Sequence, residues 1–247
     1  MTSSLGPGAV AVVIPAFRAA RTVGGVIQRI QQVSPGATVL VVDDGSDDDT
    51  ASRALAAGAA VATHEHNQGK GRALATGLSA ALALDGLRYA ITLDADGQHP
   101  PEAIPAMLAP LLAGEADLVV GARPRNPGTM PPGRRFTNWL SSTLVSRAVG
   151  IKVPDSQSGY RAMTRAVAES VRPGGVRYEF ETEFLLGAAE RGYRIGAVAI
   201  PAVYEGETSH FRYIGDTLLL ARVFLRHWRA IIRTHAPRTT HHALGGS

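Results

Sequence analysis

The residues best suited to chemistry lie in one short segment, 93–101, with the sequence LDADGQHPP. The run before it, Tyr89 to Leu93, is mostly apolar with β-branched members, which predicts a strand that ends at the glycine and the Pro-Pro pair. Asp94 and Asp96 then follow the strand directly, and side chains two residues apart on extended backbone point the same way. Gln98 adds an amide oxygen. Such hard oxygen ligands predict a Mg²⁺ or Mn²⁺ site, which substrate phosphates and water usually complete.

Other interpretations of this segment compete with a metal-phosphate site. A bare Asp-x-Asp pattern is also typical of a solvated turn. A calcium loop beginning at Asp94 is excluded, because it would place His99 where glycine is needed and Pro105 where a bidentate glutamate is needed.

Two further patterns bear on phosphate binding. A dinucleotide-binding fingerprint is absent, because residues 15–20 after the first predicted strand lack its glycines. The Gly69-Lys70-Gly71 segment lacks the Walker spacing, but it can bring backbone N–H groups and the cations Lys70 and Arg72 near a phosphate. A simple helix start fits this segment equally well.

Composition narrows the class of protein. The chain has 247 residues, 45% of them hydrophobic and 19% charged, which suits one large α/β domain or two small ones. It has no cysteine, so disulfides and thiolate metal sites are excluded. The formal charge of +4 favours an acidic partner: nucleic acid, an anionic membrane or a phosphorylated substrate. The first ten residues lack the features of a signal peptide, so we expect a cytosolic location.

Strand and helix patterns alternate through the first half. Apolar runs predict strands at residues 10–14, 38–42, 59–63, 89–93 and 117–121, and helical spacing predicts helices at 21–33, 50–57, 69–84 and 101–112. This alternation predicts a doubly wound, mainly parallel α/β sheet. Ligands of such sheets bind at the C-terminal ends of the strands. The polar segments that follow the strands are therefore expected to share one crevice.

The second half is less regular. Its patterns predict helices at 134–149, 180–191 and 216–232, a polar loop at 155–160 and a strand near 193–203. Helices 134–149 and 216–232 mix arginine with tryptophan and phenylalanine. For 216–232 this composition favours contact with an anionic membrane surface over packing on the protein's own core, and for 134–149 it favours a helix that contacts both the core and the membrane. We expect one domain at 10–233, with halves 10–122 and 123–233, between disordered segments 1–9 and 234–247.

Motifs in both halves resemble a known family. In the first half they are Val12 to Phe17, Val41 to Ser46, Asn67-x-Gly69 and Leu93 to Pro101; in the second they are Gly121 to Arg123, Asp155 to Arg161, Glu179 to Glu183 and Ser209 to Arg212. Together they resemble the inverting nucleotide-sugar glycosyltransferases of the GT-A fold, and most of all the polyprenyl-phosphate (dolichol-phosphate) mannosyl- and glucosyltransferases. The resemblance covers about residues 10–230.

The resemblance implies a role for each motif residue. It implies that the nucleoside is held by Pro15, Phe17, Val42 and Asp44. The metal and the donor diphosphate are assigned to Asp94, Ala95, Asp96 and Gln98, with further phosphate contacts from Arg123, Ser209 and Arg212. Asp155 and Gln157 are expected near the sugar and the acceptor. The family often has Asn-Glu after the aromatic of the first motif, whereas this chain has Arg18-Ala19, so the base of the donor stays open.

The predicted chemistry is transfer of mannose or glucose from a GDP- or UDP-sugar to a polyprenyl phosphate at the cytosolic membrane face. Metal and arginine stabilise the departing diphosphate, and Arg134 and Arg135 join Arg123 as cations for the acceptor phosphate. If a general base acts, Asp155 is the first candidate and Glu181 the second; a loop cap and a salt bridge are their structural alternatives. The same donor chemistry with another lipid or a soluble acceptor is a second hypothesis.

A third hypothesis is a non-catalytic protein that binds nucleotide or nucleic acid. The sequence lacks basic stripes interleaved with aromatic residues on strands. The expected crevice also carries Asp43, Asp44, Asp94 and Asp96, which would repel a phosphate backbone in the absence of metal. Both observations disfavour nucleic-acid binding.

Overall fold

The computed structural model describes residue 6 and residues 8–123, 142–143, 145–147, 153–175 and 179–201. Its strands are β1 (Val10–Ala16), β2 (Thr38–Asp43), β3 (Ala60–Thr63), β4 (Tyr89–Thr92), β5 (Leu118–Ala122), β6 (Arg161–Thr164) and β7 (Ile195–Ala199). Its helices are α1 (Val23–Val33), α2 (Thr50–Ala56), α3 (Lys70–Leu82), α4 (Ile104–Leu112), α5 (Arg165–Ser170) and α6 (Glu179–Glu190), and a 3₁₀ turn at Pro101–Ala103 precedes α4.

The seven strands form one sheet in the order β3-β2-β1-β4-β6-β5-β7. Strand β1 pairs parallel with β2 and β4, and β3 and β7 are parallel edge strands. Only β6 among these strands runs in the opposite direction, and it pairs antiparallel with both β4 and β5. The predicted mainly parallel α/β sheet is confirmed, and the first-half elements lie within a few residues of their predicted bounds.

The core lies on both faces of the sheet. Alternate residues of β1 enter two apolar layers: Val12 and Ile14 pack in the layer that contains α1 and α4, and Val13 packs in the layer that contains α3 and α6. This burial on both faces explains why the central strands are continuously apolar in sequence. Helix α3 lies directly on the sheet, because a β-carbon at Gly77 would come within 2.3 Å of Val13 Cγ1.

The reversed strand β6 brings the two halves of the chain together. The C-terminal ends of β1, β2 and β4 lie at one edge of the sheet, and β6 begins at that same edge because it runs antiparallel to β4. The segment 155–160, which enters β6, therefore lies beside the segment that leaves β4. Within the described ranges, no helix is both long and apolar enough to span a membrane.

Candidate active site

A lysine between two carboxylates is the centre of the site. Lys70 opens helix α3, and its Nζ lies 2.7 Å from Oδ1 of Asp94 at the end of β4. The same Nζ lies 3.2 Å from Oε1 of Glu181 on α6, whose side chain is only 2% exposed. Three elements that are distant in sequence thus place one cation against two anions.

The charges of this cluster are stabilised by one another. Burial disfavours the ionised form of Asp94, but the ammonium of Lys70 outweighs that cost and lowers the pKa of Asp94 to about 2. Burial also opposes the charge of Lys70, and the carboxylates of Asp94 and Glu181 more than compensate, so the pKa of Lys70 is raised above its ordinary value. Asp94 and Lys70 are therefore both ionised at neutral pH.

A glycine lets the second half of the chain approach this ion pair. A β-carbon at Gly159 would lie 2.7 Å from Nζ of Lys70 and 3.0 Å from Oδ1 of Asp94. The loop is fixed there because the Thr92 hydroxyl donates a 2.7 Å hydrogen bond to the carbonyl oxygen of Gly159. Any larger residue at 159 would displace the loop or the ion pair.

His99 supports Asp94 from beneath. Its Nδ1 accepts a 3.2 Å hydrogen bond from the backbone N–H of Asp94, and its ring centroid lies 5.3 Å from that of Tyr160. The Tyr160 hydroxyl in turn donates to the carbonyl oxygen of Pro100 at 3.2 Å. His99 is 1% exposed, and burial lowers its pKa to about 4, so the imidazole is neutral near pH 7.

A second ion pair faces the same edge. Nε of Arg123, just after β5, donates a 2.8 Å hydrogen bond to Oδ2 of Asp155, which is 3% exposed. Behind it, the buried Arg161 donates to the carbonyl oxygens of Ser158 at 3.1 Å and Ser156 at 3.1 Å. Burial lowers the pKa of Arg161 to about 10, which leaves it charged at neutral pH. Arg161 thus holds the loop that carries Asp155.

Asp44 anchors the opposite side of the crevice. One of its oxygens contacts His64 Nδ1 at 2.7 Å and accepts from the Gln68 N–H at 3.0 Å, and the other accepts from the Gly69 N–H at 2.8 Å. These bonds fix the segment that leads into α3 and hence Lys70. Pro15 and Val42 lie buried at the ends of neighbouring strands.

The aromatic residue of the first motif lies at the rim. Phe17 is 44% exposed, and the Arg18 guanidinium lies 5.2 Å from its ring centroid. Arg18 has a left-handed backbone conformation, with φ of 52°, and pairs with Asp47 through two 2.8 Å hydrogen bonds. The Ala19 N–H donates to the Thr50 hydroxyl. The residues that replace the family's Asn-Glu therefore tie the loop after β1 to the loop after β2.

The other predicted metal ligands, Asp96 and Gln98, follow Asp94 in the loop after β4. Ala95 is buried, Asp96 is exposed, and an oxygen of Asp96 accepts a 2.9 Å hydrogen bond from the N–H of Gln98. Among the described residues, no group of three or more histidine and acidic side chains is arranged to hold a metal. The oxygens of Asp94 and Asp96 nevertheless suit a hard cation, and the ammonium of Lys70 already acts as a cation on Asp94.

Several predicted residues lie outside the described part of the chain: Arg134, Arg135, Ser209 and Arg212. The same holds for helix 216–232 and for most of helix 134–149, of which residues 142–143 and 145–147 are helical. The roles assigned to these residues stay predictions, as do the division into halves and the two disordered termini.

Sequence reasoning missed two supporting residues. Arg161 sits in a motif that pointed to the family, but no local pattern marks it as the buried anchor of the 155–160 loop. His99 entered the sequence argument only as a mismatch to a calcium loop, and its contact with Tyr160 joins residues 61 positions apart in the chain. Only the pairing of β6 with β4 brings such residues together.

The fold agrees with comparisons to known proteins. Residues 11–172 match the model of glycosyl transferase family 2, and the chain belongs to that family. It is 31% identical over 217 residues to a UDP-N-acetylglucosamine–dolichyl-phosphate N-acetylglucosaminyltransferase of Methanococcus voltae, covering 78% of this chain and 85% of that protein. It is 30% identical over 231 residues to a polyprenol monophosphomannose synthase of Mycolicibacterium smegmatis, covering 88% and 85%.

A solved structure shares the architecture. The glucosyl-3-phosphoglycerate synthase of Mycobacterium tuberculosis, crystallised with Mg²⁺ and uridine diphosphate, superposes with a TM-score of 0.72 over 92% of this chain and 83% of that one, at 24% identity. The predicted GT-A fold is confirmed by this likeness. Together with the family match, it makes the protein a glycosyltransferase, as the sequence motifs predict.

Proposed function

We propose that the protein transfers a hexose from a GDP- or UDP-sugar to a polyprenyl phosphate at the cytosolic face of a membrane, with a divalent cation at Asp94 and Asp96. The observation that carries the proposal is the cluster at the end of β4, where Lys70, Asp94 and Glu181 lie in contact. With a divalent cation on Asp94, such a cluster can hold a diphosphate, and the names of the two relatives support a lipid-phosphate acceptor.

The proposed reaction exchanges two phosphate oxygens at the anomeric carbon of the sugar. A phosphate oxygen of the acceptor forms a bond to that carbon on the face opposite the donor, and the bond to the nucleoside diphosphate breaks with its electron pair leaving on oxygen. A bound Mg²⁺ or Mn²⁺ neutralises charge on that leaving group. The configuration at the anomeric carbon is thereby inverted.

The protein's own cations stabilise both anions in this proposal. Lys70 lies at the N-terminus of α3, where backbone N–H groups also favour a phosphate. Arg123, oriented by Asp155, lies across the crevice and suits either the diphosphate or the acceptor phosphate. Because a phosphate monoester is already ionised at pH 7, the acceptor needs little general base catalysis. The pairing of Asp155 and Glu181 with cations favours a charge-orienting role for both over proton transfer.

The donor test measures transfer of radiolabelled sugar into an organic-extractable polyprenyl phosphate, with GDP-mannose and UDP-glucose in parallel. Asp96→Ala is compared with the matched control Asp85→Ala, an exposed residue before the N-terminal end of β4. We expect lipid-phase product with Mn²⁺ or Mg²⁺ from wild type and the control, and a loss of at least about a hundredfold in Asp96→Ala. EDTA should abolish the product.

Each alternative gives its own result. Metal-dependent release of nucleoside diphosphate without lipid product would support the proposed donor site. It would also indicate that the acceptor is a soluble molecule or a different lipid. Full activity in EDTA would refute the proposed requirement for a divalent metal. No turnover of either donor would refute the proposed donors.

A further inference from the structure

The ammonium of Lys70 lies against the carboxylate where a divalent metal ion would bind. Its Nζ is 2.7 Å from Asp94 Oδ1, a charge-assisted contact to a carboxylate that the proposed function assigns to a divalent cation. An ammonium and a divalent ion that share one carboxylate repel each other in a half-buried site. Each of the two cations therefore weakens the binding of the other at Asp94.

Glu181 gives the ammonium a second partner. The carboxylate is 2% exposed and belongs to helix α6, and its Oε1 lies 3.2 Å from Lys70 Nζ. Within the described ranges, no polar contact of its oxygens other than the one with Lys70 is found, and the side chain lines a small pocket together with Arg161, Thr92 and Gly159. A buried carboxylate needs a counter-charge, so Glu181 keeps the ammonium at the site even when Asp94 is engaged elsewhere.

We propose that Lys70 is an exchangeable cation of the donor site. It neutralises Asp94 in the absence of metal, and Glu181 retains it beside the donor diphosphate once a divalent ion has taken Asp94. Glu181 is then a positioning residue that acts through Lys70. This inference rests on the proposed function, since it assumes that Asp94 is a metal ligand.

The exchange has measurable consequences for metal binding alone. Without nucleotide, Mn²⁺ must displace Lys70 from Asp94, so wild-type affinity for Mn²⁺ is reduced by the strength of that contact. A charge-assisted hydrogen bond corresponds to about tenfold to a hundredfold in an equilibrium constant. Removal of the ammonium should tighten Mn²⁺ binding by at least about tenfold. Neutralising Glu181 should instead leave Lys70 wholly with Asp94 and weaken Mn²⁺ binding severalfold.

The experiment titrates Mn²⁺ into the full-length protein and follows the free ion by electron paramagnetic resonance, with and without UDP or GDP. The variants are Lys70→Met, Glu181→Gln and the control Arg88→Gln, which removes an exposed positive charge just before the N-terminal end of β4, away from the crevice. Melting curves by circular dichroism confirm that each variant is folded. Glu181→Gln preserves shape, so it keeps the test decisive if Lys70→Met is unfolded.

Opposite shifts in the two variants would support the exchange: tighter Mn²⁺ binding in Lys70→Met and weaker binding in Glu181→Gln, with Arg88→Gln close to wild type. Mn²⁺ affinity in Lys70→Met that equals that of wild type or Arg88→Gln would overturn the exchange and leave the proposed function intact. If none of the proteins binds Mn²⁺, even with UDP or GDP, the proposed metal site is refuted, and the proposed exchange is refuted with it.

Discussion

Replacing His99 by asparagine is expected to make the protein markedly less sensitive to mild acid. His99 is buried against Tyr160, and its Nδ1 accepts the backbone N–H of Asp94. Protonation of Nδ1 would abolish that acceptor and place a charge in the core. Asparagine puts an oxygen near the position of Nδ1, so it can keep the hydrogen bond while removing the group that titrates.

The magnitude follows from the pKa. In the native protein the pKa of His99 is lowered to about 4 from the ordinary value of 6.5. Between these pH values the unfolded chain binds a proton that the native protein does not, so the stabilisation is complete above pH 6.5 and is lost as the pH falls towards 4. The complete loss in free energy of unfolding is about 3 kcal/mol, of which about 2 kcal/mol is lost between pH 7 and 4.5. Asp94, with a pKa of about 2, titrates below this window.

The assay is urea unfolding followed by circular dichroism at several pH values from 7 to 4.5. The difference in unfolding free energy between wild type and His99→Asn isolates the imidazole, because other groups titrate equally in both. His66→Asn serves as the control, since that histidine is exposed. An identical pH slope in wild type and His99→Asn would refute the argument that His99 is held neutral by burial.

Three further outcomes are expected. Gly159→Ala should lower transfer activity by about a hundredfold with little change in melting temperature, because its β-carbon would displace Lys70 from its partner. Gly77→Ala should lower the free energy of unfolding in urea by about 1–3 kcal/mol, because its β-carbon would clash with Val13. Its activity per folded molecule should stay unchanged. Gly25→Ala is the control for both, since open space surrounds its position; losses of the same size in it would contradict both arguments. Dialysis against EDTA should abolish activity without lowering the melting temperature, and added Mn²⁺ should restore the activity. Activity that survives the dialysis would contradict the proposed metal requirement.

The first half of the fold was predictable because its signals are local. The apolar runs at 10–14 and 38–42 lie within strands β1 (Val10–Ala16) and β2 (Thr38–Asp43), and β1 continues through Pro15, where the sequence predicts its end. Both strands are buried on two faces, which is the condition that produces such runs. The polar segments after them lie at the same edge of the sheet, so their meeting there followed from chain order and topology.

Strand β6 could not be recognised in the same way. Its four residues, Arg161 to Thr164, contain a buried arginine and a single β-branched residue, which is weak strand signal. Its antiparallel direction depends on partners far away in sequence. The Lys70 ion pairs were missed for the same reason: Lys70 was predicted to bind phosphate, but its contacts with Asp94 and Glu181 require β4 and α6 to be already in place.

The position of β6 has a consequence for synthesis of the chain. Its residue Arg161 pairs with Thr92 of β4, 69 positions earlier. At about 5–20 residues per second, β4 leaves the ribosome several seconds before its partner. During that interval the buried strand Tyr89–Thr92 presents one row of unpaired N–H and C=O groups, which is a template for association with other chains.

Arrival of β6 ends this exposure and brings the loop at 155–160 to the crevice, whereas Glu181 follows later in the chain, on α6. The strand that covers the open edge of β4 also delivers Gly159 to Asp94 and Lys70. A nascent chain that carries only the first half thus has the loops of the crevice without its finished ion cluster. Protection of the open edge of β4 and placement of Gly159 against the ion pair of Lys70 and Asp94 are coupled to the same pairing event.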